Sequence, residues 1–190
     1  MSSMTYIITA LLIEAKPIIN HFKLKKEMID DLIVYKNSDI TLCITQVGYD
    51  NALHVSRRFL YLSKPTKDDI VINIGVCAAP TEYKIGEVLL IDRVEFEEKS
   101  VTLHVTTDIS LTTLKEPQSS YLNTPVDMEA YAIYEAGRNF FEFNQIFFIK
   151  IVSDHFEPKS LNKNLLYALI NRNINNISSL IKEFLICQQQ

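Results

Sequence analysis

Thr124-Pro125-Val126-Asp127-Met128-Glu129-Ala130 sets two carboxylates just past a hydrophobic step, and Ser153-Asp154 closes an apolar run further along the chain. Both signatures fall where hydrophobic sequence hands over to a loop or a helix. A carboxylate in such surroundings is costly to desolvate unless it binds something. These are therefore the positions at which acid–base chemistry or ligand binding is to be sought. A third carboxylate, Glu14, ends the first apolar run of the chain.

Side chains of this kind need a framework, and the hydrophobic pattern supplies one. Residues 6–12 are a continuous apolar run of the buried-strand type, and 15–22 read as a short helix. Residues 32–35 and 40–47 read as a hairpin pair around the polar turn Asn37-Ser38-Asp39. Over 50–62, Ala52, Leu53, Val55, Phe59, Leu60 and Leu62 share a face with Arg57 and Arg58 opposite, which predicts an amphipathic helix. Strands are expected at 69–75, 86–94 and 101–105, followed by a polar stretch to 124. A helix over 127–141, a strand over 146–152 and a long helix over 161–186 complete the chain, with residues 188–190 fraying. This alternation predicts one α/β domain spanning 1–190, a three-layer α/β/α sandwich around a central mixed twisted sheet.

The sequence contains four glycines, so their placement is informative. Gly48 and Gly75 each end an expected strand, where glycine permits a tight turn or close approach of a ligand to the backbone. Ligands bind open α/β sheets outside the carboxyl ends of the strands. Glu14, Gly48, Gly75, Ser153 and Asp154 are all expected there and are positioned to share one cleft.

Composition narrows the function classes. The chain has 190 residues, 47% apolar and 22% charged, enough for a sizeable core. A net charge of −4 and a pI near 5.6 give no basic field for nucleic acid or an anionic membrane. Cys43, Cys77 and Cys187 are scattered and unpaired in pattern, which argues against a disulfide framework or zinc site and for a reducing cytoplasm. The start of the chain lacks a basic signal-peptide region, and no apolar segment reaches the roughly 18 residues needed to span a bilayer. His21, His54, His104 and His155 show no ligand spacing, so neither metal nor cofactor is expected. Cys77 reads as a buried small hydrophobe rather than a nucleophile. No GxSxG, GxxxxGK[ST] or GxGxxG motif occurs.

Five stretches in register resemble the purine nucleoside phosphorylase and nucleosidase superfamily, most of all its 5′-methylthioadenosine/S-adenosylhomocysteine nucleosidase branch. Ile8-Thr9-Ala10-Leu11-Leu12-Ile13-Glu14 is similar to the opening strand that delivers a glutamate, and Val47-Gly48-Tyr49-Asp50-Asn51-Ala52 to the glycine turn before the first long helix. Asn73-Ile74-Gly75-Val76-Cys77-Ala78-Ala79 with Gly86-Glu87-Val88 resembles the paired Asn-x-Gly and Gly-Asp-Val motifs. Val126-Asp127-Met128-Glu129-Ala130 resembles the ribose-binding signature, and Val152-Ser153-Asp154 the Ser-Asp motif.

The resemblance implies hydrolysis of a purine N-glycosidic bond. Asp154, oriented by Ser153, would assist departure of the base near N7. Glu129 would hold the ribose hydroxyls, with Met128 against the sugar face, and Glu14 would activate water. Val76, Cys77, Ala78, Val126 and Asp127 would line the base pocket. The partner would be a small nucleoside, and the assembly a homodimer or larger homo-oligomer. A phosphate-dependent phosphorylase is the alternative, disfavoured because no arginine precedes Arg57-Arg58. A binder that has lost turnover is the second alternative.

The chain also departs from the pattern. Ala78-Ala79-Pro80 stands where the family has two glycines, and the stretch before Val126 is shortened, which removes the usual base-stacking aromatic. Tyr121, Phe96 and Phe156 are the replacements available. A purely structural reading also exists: Thr124 as N-cap, Pro125 in the first turn and Asp127 at N3 would start a helix, and Glu14 would be a first-turn acid.

Overall fold

A computed structural model describes residues 3–105, 107–117 and 119–187. Eleven strands form one mixed sheet, with five α-helices among the described residues. Its centre is parallel: β1 (Thr5–Thr9) lies between β4 (Ile40–Ile44) and β5 (Ile70–Ala78), and β5 also pairs in parallel with β11 (Ile146–Asp154). On one side β4 continues antiparallel into β3 (Leu32–Lys36) and β2 (Lys25–Ile29). On the other, the carboxyl end of β5 meets β10 (Val126–Asp127), which continues through β9 (Ser110–Thr113) to β7 (Arg93–Phe96) and β8 (Lys99–Thr102). The short β6 (Val88–Leu90) pairs antiparallel with β11.

Strand alternation divides the core in two. Val71 and Cys77 of β5 and Phe148 and Val152 of β11 join the cluster beneath α2 (Tyr49–Ser63) and α3 (Ala130–Gly137). Ile70, Ile72 and Ile74, with Phe147, Ile149 and Ile151, join the cluster under α1 (Leu12–His21), α4 (Lys163–Arg172) and α5 (Ile174–Cys187). Burial of both faces explains why β5 and β11 read as unbroken apolar runs. The layers are those expected, α/β/α. Among the described residues, no helix is long and apolar enough to cross a membrane.

Several boundaries move. α1 starts at Leu12, three residues before the expected helix, so Glu14 lies in its first turn and not at a strand end. Gly75 is interior to β5 rather than at its end. The single strand expected over 86–94 is two, β6 and β7, in different parts of the sheet. β2 and β9 were not visible in the pattern. The C-terminal helix breaks at Asn173, whose amide donates to the carbonyls of Gly86 and Leu169 and so ties the break to the loop before β6. Residues 188–190 lie outside the described residues.

The start of α3 corrects the expected helix signal. Thr124 is no N-cap: its hydroxyl meets that of Thr112 at 3.0 Å, and Pro125 precedes a strand, not a helix. The helix begins at Ala130, and Asp127 serves its start from β10 by accepting the Ala130 N–H at 2.9 Å. The capping chemistry holds with a different residue in charge of it.

Candidate active site

The carboxyl edge of the sheet opens into a cavity of about 190 Å³. Ala10 follows β1, Glu14 projects from α1, Val47 follows β4, and Val76, Cys77 and Ala78 come from the end of β5. Val126, Asp127, Met128 and Glu129 enter from β10 and the turn into α3, and Ser153 and Asp154 from β11. All ten residues singled out from the sequence therefore line this cavity. Leu11, Leu114, Glu116, Pro117, Leu161 and Leu166 join them without having been anticipated.

Glu14 is 2% exposed and held from both sides of its carboxylate. Oε2 accepts the Leu11 N–H at 2.9 Å, and Oε1 accepts the Val76 N–H at 3.2 Å. The first bond is half of a capping box: glutamate at N3 reaches back to the N-cap N–H, while Leu11 has no polar side chain to return it. Gly75 lies against this arrangement: a Cβ there would stand 3.4 Å from Glu14 Oε1 and 3.7 Å from Lys150 Nζ, in ordinary van der Waals contact. Burial raises the Glu14 pKa, against the opposing pull of its backbone donors and of Lys150.

Lys150 was missed. It occupies the alternation position between Phe148 and Val152 on β11 and is 1% exposed. Its ammonium lies 2.7 Å from Asp127 Oδ2. Burial works against that charge, but Asp127 and Glu129 outweigh it and raise the Lys150 pKa. The signal was in the sequence: a lysine amid Ile149 and Ile151 needs a buried counter-charge. Asp127 is fully engaged, taking the Thr113 hydroxyl on Oδ1 at 2.9 Å, with Thr113 in turn accepting the Tyr131 N–H.

Glu129 is anchored by the Gly48 N–H, which donates to Oε1 at 2.8 Å. Gly48 sits at φ 103°, ψ 153° just before α2, a conformation essentially restricted to glycine. Burial first, then the neighbouring Asp127, push the Glu129 pKa up to about 7.

At the opposite edge, β11 shifts register between Val152 and Asp154, which re-aims the two polar side chains. Asp154 Oδ2 faces Ser153 Oγ at 2.7 Å, and Oδ1 accepts the Glu157 N–H at 2.8 Å. Ser153 Oγ is also 3.0 Å from the Cys77 carbonyl, so its one proton has two acceptors within reach. Cys77 itself is buried, which pushes its thiol up to about 12 and leaves it an inert wall. His155 turns away to the Ala79 carbonyl at 2.8 Å.

The proposed aromatic replacements are not at the site. Phe96 is buried between Tyr49 and Tyr131, while Phe156 is 4% exposed with Tyr121 against its edge. None of the three lines the cavity, whose apolar lining among the described residues is aliphatic apart from Met128 and Cys77. Among the described residues its lining holds five carboxylates, Glu14, Glu116, Asp127, Glu129 and Asp154, and no lysine, arginine or histidine. Three or more His, Cys, Asp or Glu side chains placed to hold a metal ion are not found among the described residues.

No family model and no curated protein matches the chain. Solved structures do match. The 5′-methylthioadenosine nucleosidase of Arabidopsis thaliana superposes with a TM-score of 0.78 at 18% identity, covering 96% of each chain. A Helicobacter pylori nucleosidase mutant with 5′-methylthioadenosine in its active site gives 0.77 at 12% identity, over 96% of this chain and 100% of that one. The chain has the 5′-methylthioadenosine/S-adenosylhomocysteine nucleosidase fold. Futalosine hydrolase of Helicobacter pylori superposes equally well, at 0.77 and 12% identity over 95% of this chain and 98% of its own. The nucleosidase fold thus carries different substrates with one arrangement of sheet and helices.

Proposed function

We propose that the chain hydrolyses the N-glycosidic bond of a purine nucleoside, of the methylthioadenosine/S-adenosylhomocysteine type. The observation that carries this reading is the convergence of Glu14, Glu129 and Asp154 on one cavity, each tied to a backbone N–H. Backbone ties fix each carboxylate before a ligand arrives and leave lone pairs for it. Solved proteins of the same fold that cleave nucleosides support it as well.

Glu14, whose raised pKa makes it a better base than an exposed glutamate, takes a proton from water as the oxygen bonds to the anomeric carbon. Glu129 holds the ribose hydroxyls and offsets the positive charge that develops on the sugar. The bond to N9 breaks with its electron pair leaving on the purine, and Asp154, oriented by Ser153, shares or gives a proton at N7. The products are free base and free sugar. Water is favoured over phosphate because, among the described residues, no cationic side chain lines the cavity and Lys150 is committed to Asp127. A homodimer or larger homo-oligomer remains part of the proposal.

Incubation with methylthioadenosine, S-adenosylhomocysteine, adenosine and inosine, with and without phosphate, tests this by the appearance of free base. Phosphate-independent release that disappears in Glu14→Gln and Asp154→Asn is the expected result. Release only with phosphate, giving a pentose 1-phosphate, overturns it in favour of a phosphorylase. Binding without turnover under every condition overturns it in favour of a binder.

A further inference from the structure

The Gly48 turn is held in place by its flanks. Gln46 and Gly48 take positive φ, 71° and 103°, and the Gly48 N–H meets Glu129 Oε1 where the starts of α2 and α3 come together. Side chains fix two carbonyls of the turn: the Thr45 hydroxyl donates to that of Gln46 at 2.9 Å, and the Asn51 amide to that of Val47 at 2.8 Å. Both contacts close within residues 45–51. They shape the turn but do not set its distance from α3.

Tyr49, the residue after Gly48, does reach α3. Its ring stacks on Phe96 with centroids 4.3 Å apart and planes at 18°. Phe96 in turn stacks on Tyr131, two residues after Glu129, at 5.6 Å and 27°. The Tyr49 hydroxyl donates to Glu135 Oε2 at 2.6 Å, and Glu135 lies on α3, the helix whose N-cap is Glu129. Burial first, then Glu135, raise the Tyr49 pKa, so the hydroxyl stays a donor. Tyr49 is thus joined to α3 through the aromatic stack and through a hydrogen bond, while its neighbour Gly48 is joined to the cap of that helix.

We propose that Tyr49 is a positioning residue for the carboxylate of Glu129: by tying α2 to α3 it keeps the Gly48 N–H aimed at Oε1. Its effect on nucleoside binding rests on the reading above, in which Glu129 holds the ribose. Hydrogen bonds weaken steeply with misalignment, so a slackened start of α2 loosens this contact. A donor to a carboxylate favours the ionised form, so the loosened contact moves Glu129 toward protonation. Asp127, Lys150 and Glu14, the other charges acting on Glu129, stay in place.

Two readouts test the assignment in wild type, Tyr49→Phe, Glu135→Ala and Glu135→Gln: carbon NMR titration of the Glu129 carboxylate, and KM and kcat for methylthioadenosine. Tyr49→Phe keeps the ring stack and loses the tie. It is expected to raise the Glu129 midpoint by about half a pH unit to one unit, the worth of one hydrogen bond. KM should rise about threefold to tenfold, with kcat changing less than about twofold. Glu135→Ala should copy Tyr49→Phe, and Glu135→Gln, which keeps an acceptor for the hydroxyl, should stay at wild-type values. A merely structural role lowers the melting temperature alone. An unmoved Glu129 midpoint in Tyr49→Phe therefore overturns the proposal, as does a wild-type KM beside normal cleavage. If no nucleoside is cleaved, the hydrolase reading fails, and the Glu129 titration still decides the role of Tyr49.

Discussion

Lys150 Nζ and Asp127 Oδ2 lie 2.7 Å apart, each side chain 1% exposed. The pair connects the middle of β11 to the start of α3, because Asp127 also holds the Ala130 N–H. Removing one partner leaves an uncompensated buried charge. Lys150→Met is expected to lower stability by about 3–5 kcal/mol in urea unfolding. Adding Asp127→Asn to it should recover a substantial part, and a double variant no more stable than Lys150→Met would show that the pair is not coupled.

Glu129 gives a pH dependence whose sign is fixed. Its pKa is about 7 in the folded chain against 4.5 for an ordinary glutamate, so the folded state binds more protons than the unfolded state between those values. Stability therefore falls as pH rises across that window and is level above it. At about 1.4 kcal/mol per pH unit, the loss is on the order of 3 kcal/mol. Glu129→Gln should be the more stable protein at pH 8, with the difference vanishing near pH 4. In turnover, kcat/KM should rise with pH through about 7 in wild type, if the ribose is held by the ionised carboxylate.

Gly48 anchors Glu129 from a backbone conformation that other residues reach only under strain. A side chain there would meet nothing within 4 Å, so the cost of Gly48→Ala is conformational rather than steric. About 1–3 kcal/mol of destabilisation is expected. The N–H also loses its aim, so KM for a nucleoside should rise more than kcat falls. Thermal melts and steady-state kinetics read the two effects separately, and unchanged KM would remove Gly48 from the site.

Ser153→Ala deletes the hydroxyl between Cys77 and Asp154 without touching the Glu157 N–H that holds the other oxygen. Stability should drop by about 0.5–1.5 kcal/mol, the usual worth of one hydrogen bond. A fall in kcat of about tenfold or more with little change in KM is the expected kinetic result on the proposed reading, in which the hydroxyl orients the acid rather than the sugar.

The parts of this fold that were legible are those written in hydrophobic runs. β1, β5 and β11 are buried on both faces and so announce themselves. β2 is nearly all exposed and β9 alternates between half-buried and buried with two threonines, so neither left an apolar run to find. The site was readable where carboxylates follow or close apolar runs, as at Glu14, Glu129 and Asp154. It was unreadable at Leu114, Glu116 and Pro117, whose loop has no periodic pattern and joins the cavity only through the pairing of β9 with β10. Phe96 and Phe156 misled because aromatics are first of all core material, and both are spent inside the protein.

Glu14 is at once the acid that faces the cavity and the side chain that opens α1. On the proposed reading, scaffold and reactivity at this position are therefore carried by one side chain. Replacing Glu14 by an apolar residue would therefore remove a helix-start acceptor as well as a base, and a loss of activity in such a variant would not separate the two. Glutamine is the natural tool for dividing the two, because its carbonyl can still cap the helix and its amide cannot take the proton.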